Sequence, residues 1–127
     1  MNHSPPSKKG MARLWAAFLY SMDGLRYAVR KEAAFRQELI AIAVLMVVLY
    51  FLPLSLVSKG VLFLATLLVL IVELLNSAIE SVVDIAAPEY HVLAKRAKDL
   101  GSAAVMISLV LAGLLWIGAI LSLFINN

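Results

Sequence analysis

An apolar run that opens at Val61 carries Glu73, Glu80 and Asp84 before any glycine or proline interrupts it. A run of this kind crosses a membrane only as a helix, because hydrocarbon offers no partner to backbone N–H and C=O groups. At 100° per residue, Glu73, Glu80 and Asp84 fall within about 40° of one another on one helical face. Ser77 lies beside them and Asn76 one turn off. A charge at the bilayer centre costs from about 2.5 kcal/mol upward, so these groups must face protein, and such positions commonly mark function. Polar packing between helices would explain Asn76 or Ser77 alone. It does not explain two glutamates on one stripe.

Composition supports a membrane setting. Of 127 residues, 63% are hydrophobic and 15% are charged, against about 25% charged in soluble domains. The length allows one domain, residues 11–127, after a polar tail over 1–10 whose Pro5-Pro6 and lysines predict disorder. Arg13, Asp23 and Arg26 break up the apolar residues after Lys8 and Lys9, so no signal peptide begins here. The absence of cysteine excludes disulfides and thiolate metal sites. His3 and His91 stand far apart, which argues against zinc.

The pattern predicts a surface helix and three spans. Met11, Leu14, Trp15, Phe18, Leu19, Met22 and Leu25 recur at helical steps, giving an amphipathic helix over about 11–28 that lies on the membrane or on the bundle's flank. The apolar stretch 39–52 is too short to span alone. The first span therefore begins near Lys31, at about 31–52, and pairs Glu32 with Arg36 at i,i+4. Pro53 ends it. A second span covers about 57–85 and stops at Ala87-Pro88. A polar segment from Pro88 to Asp99 leads to an uncharged third span, about 100–125. Its small residues Gly101, Ala104 and Ser108 suit close helix packing, and Trp116 reads as packing or interface anchoring.

Cations orient the chain. Lys8, Lys9, Arg13, Arg26, Arg30, Lys31 and Arg36 precede the first span, Lys95, Arg96 and Lys98 lie in the second loop, and Lys59 stands alone in the first loop. The positive-inside rule then puts the N-terminus in the cytoplasm and the C-terminus outside. With Lys59 at the outer edge, Glu73 lies about 21 Å along its helix and Glu80 about 32 Å. The hydrocarbon core is about 30 Å thick, so Glu80 reaches the cytoplasmic interface and Glu73 sits a few turns beneath it. Glu32, Arg36, Glu38, Glu89, Lys98 and Asp99 gather in the same layer. Carboxylates beside Lys and Arg suit a Mg²⁺–phosphate complex. Phosphoryl transfer needs positioning, charge neutralisation and a base for the attacking hydroxyl, a role open to Glu73. The glycines at 10, 24, 60, 101, 113 and 118 are too scattered for either common phosphate loop. Residue pattern alone therefore reaches an interfacial acidic site for a metal and an anion.

Three segments take the reading further: Glu32-Ala-Ala-Phe35-Arg36-Gln37-Glu38; Val72-Glu73-Leu-Leu-Asn76-Ser77-Ala-Ile-Glu80-Ser-Val-Val-Asp84; and Glu89-Tyr90-His91 with Arg96-Ala-Lys98-Asp99-Leu-Gly101-Ser102. From about Arg13 onward the sequence resembles the prokaryotic integral-membrane diacylglycerol kinase family. The resemblance implies an all-α membrane protein, with a surface helix and three transmembrane helices, working as a homotrimer with shared sites in the bacterial inner membrane. It implies Mg²⁺- and ATP-dependent phosphorylation of diacylglycerol to phosphatidic acid.

Position by position, the resemblance implies Glu73 as the catalytic base, Glu32 and Glu80 as holders of the metal on ATP, and Asn76 as a support for Glu73. Nucleotide contacts are implied for Arg13, Tyr20, Glu32, Glu80, Glu89, Tyr90, His91, Lys98 and Asp99. Lipid contacts are implied for Arg13, Ser21, Ala34, Phe35, Arg36, Gln37, Glu38, Lys59, Glu73 and Ser102. The chain departs from the family pattern at Asp23, where a basic residue is expected, and at Pro53, where an acidic one is. An undecaprenol kinase of the same family shares these features. A proton-coupled transporter would also use a membrane glutamate but near the midplane, and a non-enzymatic helical subunit would need neither Glu73 nor Glu80.

Overall fold

The computed structural model describes residues 9–126, which fold into four helices: α1 (Met11–Lys31), α2 (Ala33–Phe51), α3 (Leu56–Ala86) and α4 (Val92–Ile125). Residues 1–8 of the tail expected to be disordered lie outside the described residues. The chain divides into two compact units, Met1–Arg36 and Gln37–Asn127.

In the first unit, Gly10 precedes α1 at φ 61°, a left-handed conformation that costs glycine little. The helix runs to Lys31, three residues beyond the expected end. It leaves Met11, Leu14, Trp15 and Phe18 exposed, with the Trp15 and Phe18 rings stacked at 5.6 Å. Glu32 then breaks the helical path with extended dihedrals, φ −103° and ψ 102°. This break undoes the expected Glu32–Arg36 ion pair, because i,i+4 spacing aligns side chains only within a continuous helix. The Arg36 guanidinium instead donates to the Val29 and Arg30 carbonyls, each at 3.0 Å. It thereby satisfies C-terminal carbonyls of α1 that have no partner within the helix.

In the second unit, α3 and α4 form the principal helix pair. Pro53 stops α2, and Ser55 caps α3 by accepting from the Ser58 amide at 3.1 Å. Lys59 Nζ donates to the Tyr50 carbonyl at 3.0 Å, tying the start of α3 to the end of α2. At the other end, Pro88 holds Ala87 out of the helix at φ −138°. α4 begins at Val92, well before the expected span, because His91 Nδ1 accepts from the Leu93 amide at 3.1 Å and caps it. The segment around Lys95 and Asp99 is thus helical and continuous with the membrane-crossing part.

The core of this unit joins Leu49 of α2 to Leu62 of α3 and Trp116 of α4, with a second cluster of Ala65, Val69 and Ala112. Gly101, Ser108, Ala112 and Trp116 form the buried line of α4, whereas Ala104 is exposed. The packing face follows seven- and four-residue steps, and the three-residue step from Gly101 to Ala104 turns away from it. Trp116 is packed inside, with its indole N–H donating to Thr66 Oγ1 at 2.9 Å. The Thr66 hydroxyl donates in turn to the Leu62 carbonyl at 2.6 Å. Three helices, α2, α3 and α4, are long and apolar enough to cross a membrane.

Candidate active site

The C-terminal half of α3 carries the site. Glu73, Asn76 and Glu80 are half-buried, and Asp84 is exposed at the helix end. Against Glu73, α2 brings the Glu38 carboxyl as a close neighbour. Glu38 Oε2 is buried without a hydrogen-bond partner. Glu38 also stands at the edge of an apolar cavity of about 390 Å³ between α2, α3 and α4, lined by Ile42, Leu45, Val69, Leu109 and Ala112 and reaching Trp116.

One turn on, Asn76 Nδ2 donates to Glu80 Oε1 at 3.3 Å. The amide is thus bonded to Glu80, while the family resemblance implied Asn76 as a support for Glu73. Asn76 Oδ1 is buried and unpartnered. Among the described residues, Glu38 Oε2 and Asn76 Oδ1 are the two buried side-chain polar atoms with no partner, and both belong to this stretch. Buried orphans are rare in folded proteins and call for an explanation such as an absent ligand or a catalytic role.

Beyond Glu80, the α3–α4 turn forms a polar cavity of about 430 Å³. Glu89, Tyr90, His91, Lys98 and Asp99 all line it, so five residues scattered over two sequence motifs meet in one place. Lys98 Nζ bonds Asp84 Oδ1 at 2.6 Å, bridging α4 to α3. Lys95 Nζ bonds Asp99 Oδ2 at 2.6 Å along α4. Sequence reading placed Asp84 on the carboxylate face without a specific role and gave Lys95 no site role. The i,i+4 spacing of Lys95 and Asp99 signals their pairing, whereas the Asp84–Lys98 bridge depends on how the helices meet. Ser102 is exposed on the first turns of α4.

Other candidates lie elsewhere. Lys59 is at the opposite end of α3, about 21 Å along the axis from Glu73, and its ammonium is bound to the Tyr50 carbonyl. In the first unit, Arg13, Tyr20 and Ser21 are exposed on α1, with the Ser21 hydroxyl donating to the Ala17 carbonyl at 2.9 Å. Glu32 is half-buried at the helix break, Phe35 is buried, and Ala34 and Gln37 are exposed. No group of three or more His, Cys, Asp or Glu side chains forms a metal cage among the described residues.

Comparison with known proteins identifies the family. The family profile described as prokaryotic diacylglycerol kinase matches residues 19–120. A protein named diacylglycerol kinase from Escherichia coli (strain K12) is 47% identical over 107 residues, 84% of this chain and 88% of that protein. One of the same name from Helicobacter pylori (strain ATCC 700392 / 26695) is 42% identical over 122 residues, covering 96% and 95% of the two chains. Another, from Pseudomonas aeruginosa, is 43% identical over 117 residues, covering 91% and 95%. The matched region contains the carboxylates of α3, their neighbour on α2 and the polar turn, and likeness of this extent leaves one assignment: the chain belongs to the prokaryotic diacylglycerol kinase family.

Proposed function

We propose that this protein transfers the γ-phosphate of ATP to the hydroxyl of diacylglycerol, giving phosphatidic acid at the cytoplasmic face of a bacterial inner membrane. The observation that carries the reading is the buried, unpartnered Glu38 Oε2, which α2 sets beside the Glu73–Glu80 stretch of α3. An apolar groove opens beside Glu38 and a polar cavity lies beyond Glu80. A lipid hydroxyl and a nucleotide phosphate would thus approach one helix from its two sides.

Glu73 takes the proton of the acceptor hydroxyl as its oxygen bonds to the γ-phosphorus. The bond from that phosphorus to the β,γ-bridging oxygen breaks, and ADP leaves. Glu38 lies against Glu73 to orient the acceptor, and its groove takes the apolar part of the lipid. Ala34, Phe35, Arg36, Gln37 and Ser102 border the lipid, as do Arg13, Ser21 and Lys59. Glu89, Tyr90, His91, Lys98 and Asp99 hold the nucleotide with Arg13 and Tyr20. Glu32 and Glu80 would hold Mg²⁺. The donor set fits that ion, which takes one or two carboxylates together with phosphate oxygens and retained water, so no all-protein cage is needed. When bound, Mg²⁺ offsets the negative charge of the β- and γ-phosphates.

α1 lies on the membrane surface with its exposed apolar residues in the lipid interface. The positive-inside distribution gives a cytoplasmic N-terminus and an external C-terminus. A homotrimer with shared sites fits the extensive apolar exposure on all four helices of the single chain.

The test is phosphate transfer from Mg·ATP in mixed micelles, with diacylglycerol and undecaprenol assayed in parallel. Phosphatidic acid formed by the wild type and lost in Glu73→Gln is the expected result. Undecaprenyl phosphate in its place would change the acceptor and keep the mechanism. A folded protein inactive on both lipids would sink the kinase reading.

A further inference from the structure

Gly101 differs from every other glycine among the described residues. A side chain built at Gly10, Gly24, Gly60, Gly113 or Gly118 would meet no atom within 4 Å. At Gly101, a single methyl group would overlap the Asn76 amide oxygen and stand 3.3 Å from Asn76 Cγ. Gly101 has no left-handed backbone, since only Gly10 has positive φ. The need for glycine at 101 is therefore one of space, and the space is filled by a single side chain.

That side chain is committed on its other edge. Asn76 donates its amide NH₂ to Glu80 Oε1, which leaves Oδ1 turned to the bare Cα of Gly101 and without a hydrogen-bond partner. Turning the amide over would set its oxygen against Glu80 Oε1, so the orientation follows from Glu80 acting as the acceptor. Glycine also weakens a helix interior relative to alanine. Its presence here, two residues beyond Asp99, is offset by admitting the Asn76 amide between α3 and α4.

We propose that Gly101 is a positioning residue for Glu80: its missing side chain seats Asn76, and Asn76 fixes the carboxylate that holds the metal–nucleotide complex. The inference rests on the reading of Glu80 as a Mg²⁺ ligand. Partners that orient a ligating group typically contribute about 10–100-fold to metal affinity.

The experiment compares the intact purified protein with Gly101→Ala, Asn76→Ala and the double variant. Mn²⁺ binding in the presence of a non-hydrolysable ATP analogue is followed by electron paramagnetic resonance, and the Mg²⁺ dependence of phosphate transfer is measured alongside. Gly101→Ala is expected to weaken Mn²⁺ binding about tenfold or more, raising the Mg²⁺ needed for half-maximal rate more than it lowers the rate at saturation. The double variant should bind Mn²⁺ no more weakly than Asn76→Ala alone, because both changes undo one contact. Wild-type Mn²⁺ binding by Gly101→Ala, or losses that multiply in the double variant, would overturn the proposal. If Gly101→Ala fails to fold, the double variant decides. Folded protein with the metal binding of Asn76→Ala supports the seat, and an unfolded double variant refutes it. Coupled Mn²⁺ binding in a protein that phosphorylates no lipid would instead count against the kinase reading and leave the seat standing.

Discussion

Near the Pro53 loop, the α3–α4 pair buries Thr66 and Trp116 and supplies each polar group with a partner, the indole N–H giving to Thr66 and the hydroxyl to the Leu62 carbonyl. Near Pro88, the same two helices keep Glu73, Asn76 and Glu80 half-buried and leave one Asn76 atom with no partner. The first end obeys the rule that polar groups taken from water are bonded. The second breaks it at the Asn76 oxygen seated against Gly101. On the proposed reading one helix pair assigns stability to one end and chemistry to the other, and a substitution should reveal which end it sits in by which property it damages.

The largest effect should come from Glu73→Gln. Loss of a general base lowers transfer by about 10²–10⁴-fold, with helix content and thermal midpoint retained. A loss below about tenfold would remove Glu73 from that role. Next comes Trp116→Ala, expected to cost about 3–5 kcal/mol of stability while the rate per folded molecule stays within a few-fold of wild type. A large loss of rate at unchanged stability would erase the distinction between the ends. Thr66→Val keeps the volume and strands the indole N–H, at a cost of about 1–3 kcal/mol, and chemical unfolding in detergent would measure it. Lys95→Ala should be smallest. Its pair with Asp99 is exposed, and such i,i+4 pairs contribute about 0.3–0.5 kcal/mol, less as salt rises.

Much of this was legible in the sequence. The three spans, the prolines that end two of them and the carboxylate stripe follow from periodicity, because hydrocarbon allows few alternatives to a helix. The break at Glu32 was not legible. It depends on Arg36 reaching carbonyls six and seven residues back, a contact that no i,i+4 rule describes. The charged segment before Gly101 read as a linker, yet His91 caps it into α4. Charge content hid a helix that polar residues continue beyond the membrane. The stripe pointed to Glu73 without revealing Glu38 as its neighbour, since helical periodicity says which face a residue occupies and not what the next helix sets against it. Gly101 was visible as a small residue, but the side chain it admits depends on the register of α4 against α3. Resemblance to the family supplied what pattern could not, the separation of the carboxylates into base and metal holders.

The lengths of the helices carry one more consequence. α2 has 19 residues and α4 has 34, so their axes measure about 28 Å and 51 Å. The first just matches a hydrocarbon layer of about 30 Å, and the second overshoots it by several turns. The Glu73–Glu80 stretch, proposed above as catalytic, therefore sits at a waterline set by the surrounding lipid. A thicker bilayer would draw the Asp84–Lys98 bridge toward hydrocarbon, and a thinner one would lift Glu73 toward water. Membrane thickness thereby becomes a coordinate of the reaction.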